Sequence, residues 1–561
     1  MGLLPAFFPV DSLLKLEFLI NGENTGLDSL LKDASIAFEL NKIPTAKFTF
    51  ISQQLTTDNK EKLPTDFLSR KENEEPIKIE VKVTFQNKSE TFFKGIIKSI
   101  DKQNDNNQIV TKIECKDSGF NLALPIKVDE NNKDKFKDRL KSYTTNAKLD
   151  LNITTGLWAD EQITHNASIV PWDYLVGFLD SVGIMVALRN GTFGGIDIAS
   201  KTKPLAKYTA ENGMNVFAFS GKKSPEKIKS EVVIETWDYE KQEVKKFQST
   251  QNAQKNQQSV KVDANHYKPE TYQRIADAIV QKSILAAYSG KVSTFGNLTA
   301  KSGDFIAFNK VNPDIDKETL LIVQEVHTIE NGCWRTEYSF GLESEKSFSE
   351  NTTNGVNNSN AQVGQSNTIN GLQIGVVTQI EEDPNNQFRI KVRLPVLSEK
   401  GEGVWARLAT MFASNEMGSF FIPNVNDEVI VGCLGNNPDT PIVLGSLYSS
   451  KNRAPFPIVK ENYIKGFVTK EGTKVILDDE KKVIELSTKK GNKITISDDA
   501  KGIILEDENK NKVILNDQGI TLESCKDFNV KAKGNIAIEG ISFKGEASSN
   551  IELKGALIKL N

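Results

Sequence analysis

Cysteine is scarce and scattered. Cys115, Cys333, Cys433 and Cys525 stand singly, with no Cys-x-x-Cys and no Cys/His cluster. That spacing argues against a disulfide framework and fits synthesis in a reducing compartment. Histidine is rarer still. His165, His266 and His327 lie far apart, and none has a second His or Cys at metal-ligand spacing, so no zinc centre is expected. His165 in ITHNAS and His266 in ANHYKP read as loop residues. His327 in VQEVHTIE alternates with apolar neighbours and reads as a strand-surface residue. No apolar run approaches the roughly 20 residues of a membrane-spanning helix. The opening MGLLPAFFPVDSLLKL lacks a charged leader and a long uninterrupted core, so it reads as an ordinary N-terminal segment and not a signal peptide. Cytoplasmic synthesis without a Sec signal is the expectation. An excess of one charge is missing too: 70 Lys and Arg stand against 74 Asp and Glu, a net −4, which leaves no basic footprint for nucleic acid.

Catalytic signatures are also absent. The chain has no GxSxG, HExxH or GxxxxGK[ST]. Accordingly, no catalytic residue, cofactor-binding residue or metal ligand is assigned. Glycoside hydrolysis needs two carboxylates held across a cleft, and 74 acidic residues leave such a pair open. The pairs Asp478-Asp479 and Asp498-Asp499 fall in turn-like gaps, where Asp belongs, without a regular calcium-loop spacing.

What is present is strand. The 561 residues suffice for about three or four domains. Residues 1–125 carry six alternating runs: LLKLEFLING, ASIAFEL, AKFTFISQQL, PIKIEVKVTFQ, ETFFKGIIKSIDKQ and QIVTKIECKDS. Period two over five or more residues marks a sheet with one wet face, here a barrel-like β domain. Residues 126–210 mix in helix: NNKDKFKDRLKSY is a polar candidate, and PWDYLVGFLDSVGIMVALRNGTFGGIDI reads as helix, turn, strand, turn, strand. Pro171 sits where a helix tolerates a missing N–H, and Gly183 is placed to end it. Residues 211–348 return to strands: KSEVVIETWDYEKQEVKKFQST gives a hairpin-like pair, 251–258 a Gln/Asn/Lys-rich loop, and 269–288 the longest helix candidate.

Residues 349–370 are rich in Asn, Ser, Thr, Gly and Gln and nearly free of large apolar side chains, which is the composition of a linker. From 371 to 450, short runs alternate again, with Phe388, Ile390, Val392 and Leu394 against Arg389, Lys391 and Arg393. Asp383-Pro384-Asn385, Pro423-Asn424 and Gly435-Asn436-Asn437-Pro438 punctuate them. About five strands in so short a stretch read as a small closed barrel of the OB type. A connector follows over 451–472. The last region, 473–561, is a series of apolar-polar-apolar triplets starting at Val475, Ile484, Ile494, Ile503, Val513, Ile520, Phe528, Ile536, Ile541, Ile551 and Ile558. A recurring short strand plus turn is a repeat architecture. One copy of so narrow an apolar face encloses no core. Winding several chains about one axis closes it, although the repeat alone also allows a single-chain β-helix.

The barrel's wording is more specific than its pattern. Trp405 and Arg407, then Pro423, Asp427, Glu428, Gly432, Gly435, Pro438, Asp439, Pro441, Gly445 and Tyr448, stand in the order and spacing of the VgrG family barrel. The stretch therefore resembles the spike proteins of type VI secretion systems and related contractile injection systems, akin to phage tail spikes. The pattern departs at Asn426, where the family more often has Gly, and at 410–413, a looser version of the family's segment. By this resemblance the fold is mainly β: barrel-like hub domains with a few helices, an OB-fold barrel and a trimeric β-prism (β-helix) needle. The resemblance implies a homotrimer whose hub meets an Hcp-like inner tube protein and baseplate proteins. It also implies a PAAR-like protein seated on the end of the needle, at Lys559, Leu560 and Asn561, and effector cargo. The target membrane would be met transiently, and delivery would be outside the cell or within a released extracellular particle. Between barrel and needle, where some phage spikes carry a muramidase, this chain has only the connector, too short for an enzyme domain. A non-enzymatic, mechanical role is the expectation. A spike-associated envelope hydrolase and a trimeric glycan-binding fibre are the competing classes. The lack of aromatic clusters near 555–561 counts against the fibre.

Overall fold

The computed structural model describes residues 14–53, 75–105, 108–128, 134–164, 168–199, 205–238, 241–250, 257–262, 266–316, 318–342, 369, 371–397 and 400–559. They divide into two compact units, Met1–Leu447 and Tyr448–Asn561. Of the residues singled out in sequence, His165, Leu560, Asn561 and nearly all of 349–370 lie outside the described set.

Alternation makes the hub strands what they are. In Lys15–Ile20 the side chains of Leu16, Phe18 and Ile20 turn inward, and in Lys78–Phe85 those of Ile79, Val81 and Val83 do. Phenylalanine fills the space between them. Phe18 meets Phe48 and Phe50 edge-on, with ring centroids 5.2 and 5.3 Å apart. Two β regions far apart in sequence share one sheet. Its order runs Val216–Lys223, Tyr288–Phe295, Cys333–Phe340, Thr319–Glu330, Leu31–Glu39, Thr45–Gln53, Gln108–Asp117, Lys88–Asp105, Lys78–Phe85, Lys15–Ile20. The seam between the halves is antiparallel, from Gln324 opposite Glu39 to Glu330 opposite Asp33.

Three helices cover a second core: α1 (Phe136–Asn146), α2 (Pro171–Ser181) and α3 (Pro269–Ala286). Pro171 and Pro269 open their helices, where a missing N–H costs nothing, and Gly183 follows α2 at φ 76°. α1 is polar in composition, yet Phe136, Leu140 and Tyr143 give it a buried face. It meets α2 through Phe136 and Phe178, whose centroids are 4.6 Å apart. The hairpin Glu231–Asp238 and Glu243–Thr250 packs on α3. Gln257 and Gln258, read as loop, instead open the strand Gln257–Val262, which pairs in parallel with Glu231–Asp238.

The barrel closes in the order Gln373–Gln379, Ile390–Arg393, Val404–Leu408, Pro441–Ser446, Glu428–Cys433 and back to the first. Val377, Ile390, Val392, Ala406, Val429, Val431 and Val443 fill it. A Cβ at Gly375 would lie 2.4 Å from Val392 Cγ1, so only glycine fits that wall. Phe388 does not join this core: it sits in the turn before the strand at φ 55° and is 92% exposed. The reason is Asp383, whose carboxylate accepts N–H groups of Asn385, Gln387 and Arg389 and holds the turn one residue past Phe388. Lys391, read as exposed, is buried and paired with Glu402 at 2.6 Å.

The second unit holds one antiparallel meander of seven strands, Ile464–Val468, Lys474–Asp478, Val483–Ser487, Lys493–Ser497, Gly502–Glu506, Lys512–Asn516 and Gly519–Glu523. Its first strand lies in the stretch read as connector. Beyond Glu523 no strand occurs among the described residues, although sequence places triplets there at Phe528, Ile536, Ile541, Ile551 and Ile558.

Candidate functional site

The strand register of the second unit sorts its apolar side chains into two files on one face. Phe467, Val475, Leu486, Ile494, Leu505, Val513 and Leu522 stand opposite one another strand by strand. Beside them run Leu477, Ile484, Ile496, Ile503, Leu515 and Ile520. The centre of the other face carries Glu485, Thr495 and Thr521 among its isoleucines, and Glu485 pairs with Lys493 at 2.8 Å. Among the described residues of this unit, no second strand layer covers the two files. Ile484, Leu486, Ile494 and Ile496 are 40–42% exposed, and Ile520 is 73% exposed. A contiguous apolar face of this kind marks an interaction surface.

The barrel is fixed to the hub by its loop 434–440. Gly435 and Asn436 both take left-handed φ there, 57° and 61°. Asn437 is buried, and its Oδ1 accepts the Asp439 N–H at 2.9 Å. Its Nδ2 lies 3.2 Å from His266 Nε2, and His266 Nδ1 lies 3.2 Å from Tyr272 Oη. The Asp439 carboxylate accepts the Thr164 N–H at 3.1 Å. Asp439 is half-buried. Burial pushes its pKa up, against the pull of His266, Thr164 and Arg139. Arg139 is buried on α1 and donates to Ile163 O at 2.8 Å. A cleft of about 570 Å³ opens beside the joint, with Trp237 and Trp405 in its walls. Two of its cations are held by carboxylates: Arg389 by Asp383 at 2.6 Å and Lys135 by Asp160 at 3.3 Å.

The other barrel residues picked out in sequence differ in their surroundings. Pro423, Pro438 and Pro441 are buried, Trp405 is half-buried and Arg407 is exposed. Trp405 lies beneath Arg389 and Lys391, at 6.0 and 5.8 Å from its ring centroid. Asp427 caps its turn by accepting the Asn424 N–H at 2.8 Å, and Glu428 begins the next strand. Gly432 and Gly445 lie within strands, and Tyr448 is 70% exposed. Asn426 takes φ 76°, a conformation glycine adopts freely and asparagine tolerates, which explains how it stands where the family more often has Gly. Lys559, the described member of the proposed tip, is exposed.

Two buried ionic clusters escaped sequence reading. Lys282 on α3 pairs with Asp180 on α2, and Asn41 Nδ2 donates to the same carboxylate at 2.9 Å. His327 is not on the strand surface: it is 3% exposed, 3.0 Å from Thr336 Oγ1 and 3.5 Å from Glu325. Glu325 also holds Arg189 and accepts the Ser302 N–H at 2.7 Å. Burial raises the Glu325 pKa, but Arg189 and His327 outweigh it and hold the carboxyl below its ordinary value. The first ties α2 to α3 and to Asn41, and the second ties the strands Ile184–Arg189, Thr319–Glu330 and Cys333–Phe340 together. Asp180, in the otherwise apolar run VGFLDSVG, was the legible sign of one of them.

Family comparisons agree with this geometry. The Alg8 N-terminal domain model matches residues 10–313, more than half of the 561-residue chain. The model described as the type VI secretion system/phage-baseplate injector OB domain matches 373–448, and the phage baseplate V C-terminal trimerisation domain matches 481–561. The chain belongs to the VgrG-like spike family of contractile injection systems, with an Alg8-type N-terminal half. It is 37% identical over 78 residues to the type VI secretion system spike protein VgrG3 of Vibrio cholerae, covering 13% of this chain and 8% of that one. With VgrG5 of Pseudomonas aeruginosa it shares 43% over 54 residues, 10% of this chain and 7% of the relative. Likeness to these curated relatives thus spans a small part of their length. In fold, this VgrG-like chain is similar to chains of the Francisella PdpA-VgrG complex. The lidless form gives a TM-score of 0.51 at 12% identity, covering 92% of this chain and 99% of that one. The half-lidded form gives 0.52 at 12% identity, covering 91% and 88%.

Proposed function

We propose that this VgrG-like chain is a structural spike and hub, assembled as a homotrimer at the tip of a contractile injection system. The observation that carries the proposal is the pair of uncovered apolar files on the second unit. Three copies wound with those faces inward enclose one another's files, as one chain alone does not. The match of 481–561 to a trimerisation domain supports the same arrangement. In this reading the needle works by rigidity: strands paired along one axis resist bending, and no bond is made or broken.

The hub, with two β regions in one sheet, would join a six-fold inner tube of Hcp-like protein to the three-fold needle and seat against baseplate proteins. A PAAR-like protein would cap the needle near Lys559, Leu560 and Asn561, and effectors would travel with it. The assembly would cross a target membrane transiently and end outside the producing cell. Native mass spectrometry or light scattering of the full chain tests the core of this reading. Three copies are expected; a stable monomer at micromolar concentration overturns it.

A further inference from the structure

The barrel has a face that the spike role leaves unused. Its second and third strands are Ile390–Arg393 and Val404–Leu408. Barrels of the OB type bind oligosaccharides and oligonucleotides on those two strands, between the loop joining strands one and two and the loop joining strands four and five. Here the two loops are 380–389 and 434–440. The cleft beside the joint opens on this face. Asn385 and Arg389 line it from the first loop, Trp405 and Arg407 from the third strand, and Asp439 from the second loop. The hub supplies the opposing side, with Trp237 and Lys268.

Alternation brings both indoles to the cleft. Trp237 stands on Glu231–Asp238 between the buried Thr236 and Asp238, so period two turns it outward, and it is exposed. Trp405 likewise lies beside the inward Ala406. Arg389 and Lys391 lie over its ring, and both are fixed in turn, Arg389 by Asp383 and Lys391 by Glu402. The barrel side of the cleft is therefore in place before a ligand arrives, which lowers the ordering cost of binding.

Two features choose the ligand. An exposed ring in a polar cleft suits a partner that is apolar over its face and hydroxylated at its rim. A pyranose with equatorial substituents has that shape, with C–H groups above and below and hydroxyls around the edge. Charge is the second feature. Four cations and three carboxylates line the cleft, and Asp160 holds Lys135 while Asp383 holds Arg389. A nucleic acid strand is bound through an excess of cations over its phosphates, and this cleft is nearly balanced. Uncharged hydroxyls use such side chains as donors and acceptors without asking for net charge. The volume of about 570 Å³ suits a short oligomer, and a position between two domains is where such clefts occur.

We infer that this cleft binds a neutral oligosaccharide of equatorially linked pyranoses, one ring stacked on Trp237 and neighbouring hydroxyls hydrogen-bonded by Asn385 and Arg407. The site lies within one copy, on hub and barrel, and goes beyond the spike role proposed above. It gives the chain a hold on polysaccharide that rigidity does not.

Calorimetric titration of the full-length protein with chitotetraose and with cellotetraose tests this, with an oligothymidylate as comparison. Saturable binding of at least one tetrasaccharide is expected, with a dissociation constant below about 1 mM. Trp237→Ala removes the stacking platform and should weaken it about 10-fold or more. Arg407→Ala, on an exposed strand position, should weaken it about 3-fold, and it carries the test if circular dichroism shows that Trp237→Ala has lost its fold. No binding of either sugar up to about 10 mM overturns the site. Binding that neither variant weakens means the sugar sits elsewhere and also overturns it. Binding of the oligothymidylate alone, lost on Trp237→Ala, means that the face takes nucleic acid and overturns the choice of ligand.

Discussion

Strands of the same pattern meet opposite fates in the two units. In the hub, Phe18, Phe38, Val81 and Val83 alternate with polar neighbours and have no exposed area. In the needle, Ile484, Leu486, Ile494 and Ile496 alternate in the same way and keep two-fifths of theirs. The difference is not propensity, since both sets are β-branched, aliphatic or aromatic residues at period two. Hub strands are long, up to the 18 residues of Lys88–Asp105, and their sheet packs against other strands and helices of the same chain. Needle strands are five residues each, and among the described residues of their unit the meander has no second layer. Alternation announces that one face wants cover; it does not say whose chain provides it.

Substitutions on either side of this comparison should separate the two fates. The largest effect is expected from Ile496→Asp. In one chain the site is partly wet, so folding of the single copy survives. In three copies it places three carboxylates inside one enclosed face, each costing several kcal/mol to bury. Native mass spectrometry should show loss of the trimer, with circular dichroism close to that of the parent. Next is Lys282→Met in the hub, which leaves the buried Asp180 without its cation and should cost about 3–5 kcal/mol. There the melting temperature falls while the three-copy mass persists.

Asp439→Ala acts at the hub–barrel joint. It removes the acceptor of the Thr164 N–H and should cost about 1–3 kcal/mol for the unsatisfied donor. Faster hydrogen exchange confined to 160–164 and 434–440 would locate the loss; a uniform change across the chain would refute the joint. Acid should loosen the barrel's first turn. Burial raises the Asp383 pKa, but hydrogen bonds from Arg389 and from backbone N–H groups bring it well below its ordinary value. Its stabilisation is therefore complete above the unfolded pKa, about 3.9, and disappears as the pH falls further below that value. An Asp383→Asn chain should lack that component of the acid sensitivity. The smallest effect is expected for Lys489→Ala, on a solvated turn, within about 0.5 kcal/mol by thermal melting.

Much of the architecture was legible because strand and helix signals are local. The six alternating runs of the first 125 residues, the proline-led α2 and α3 and the early triplets of the needle all lie where their periods place them. The barrel was legible from its punctuation as well as its alternation. Where reading failed, one residue's environment was set by others distant in sequence. Phe388 matched the barrel period, yet the Asp383 cap turns the chain before it can enter the core. His327 looked like a surface residue in a strand, but Glu325 and Thr336 enclose it. Of the joint, Asp439 and Asn437 were visible as turn residues. Their hub partners, Thr164 and His266, lie 275 and 171 positions away.

The sequence by itself determined the strands of the first 125 residues, of the barrel and of the early needle triplets, which way their side chains alternate, and that the final region repeats. Those properties depend on neighbours one to four residues apart, where backbone geometry imposes its period. Only the tertiary structure decided that the two β regions of the hub share a single sheet through Thr319–Glu330 and Leu31–Glu39. It also decided that the barrel is held by a polar loop through Asn437 and Asp439, and that among the described residues in-chain strand pairing stops at Glu523. Each of these is a choice of partner, and a strand's edge bonds equally well to any strand of matching register, near or far along its own chain or in another.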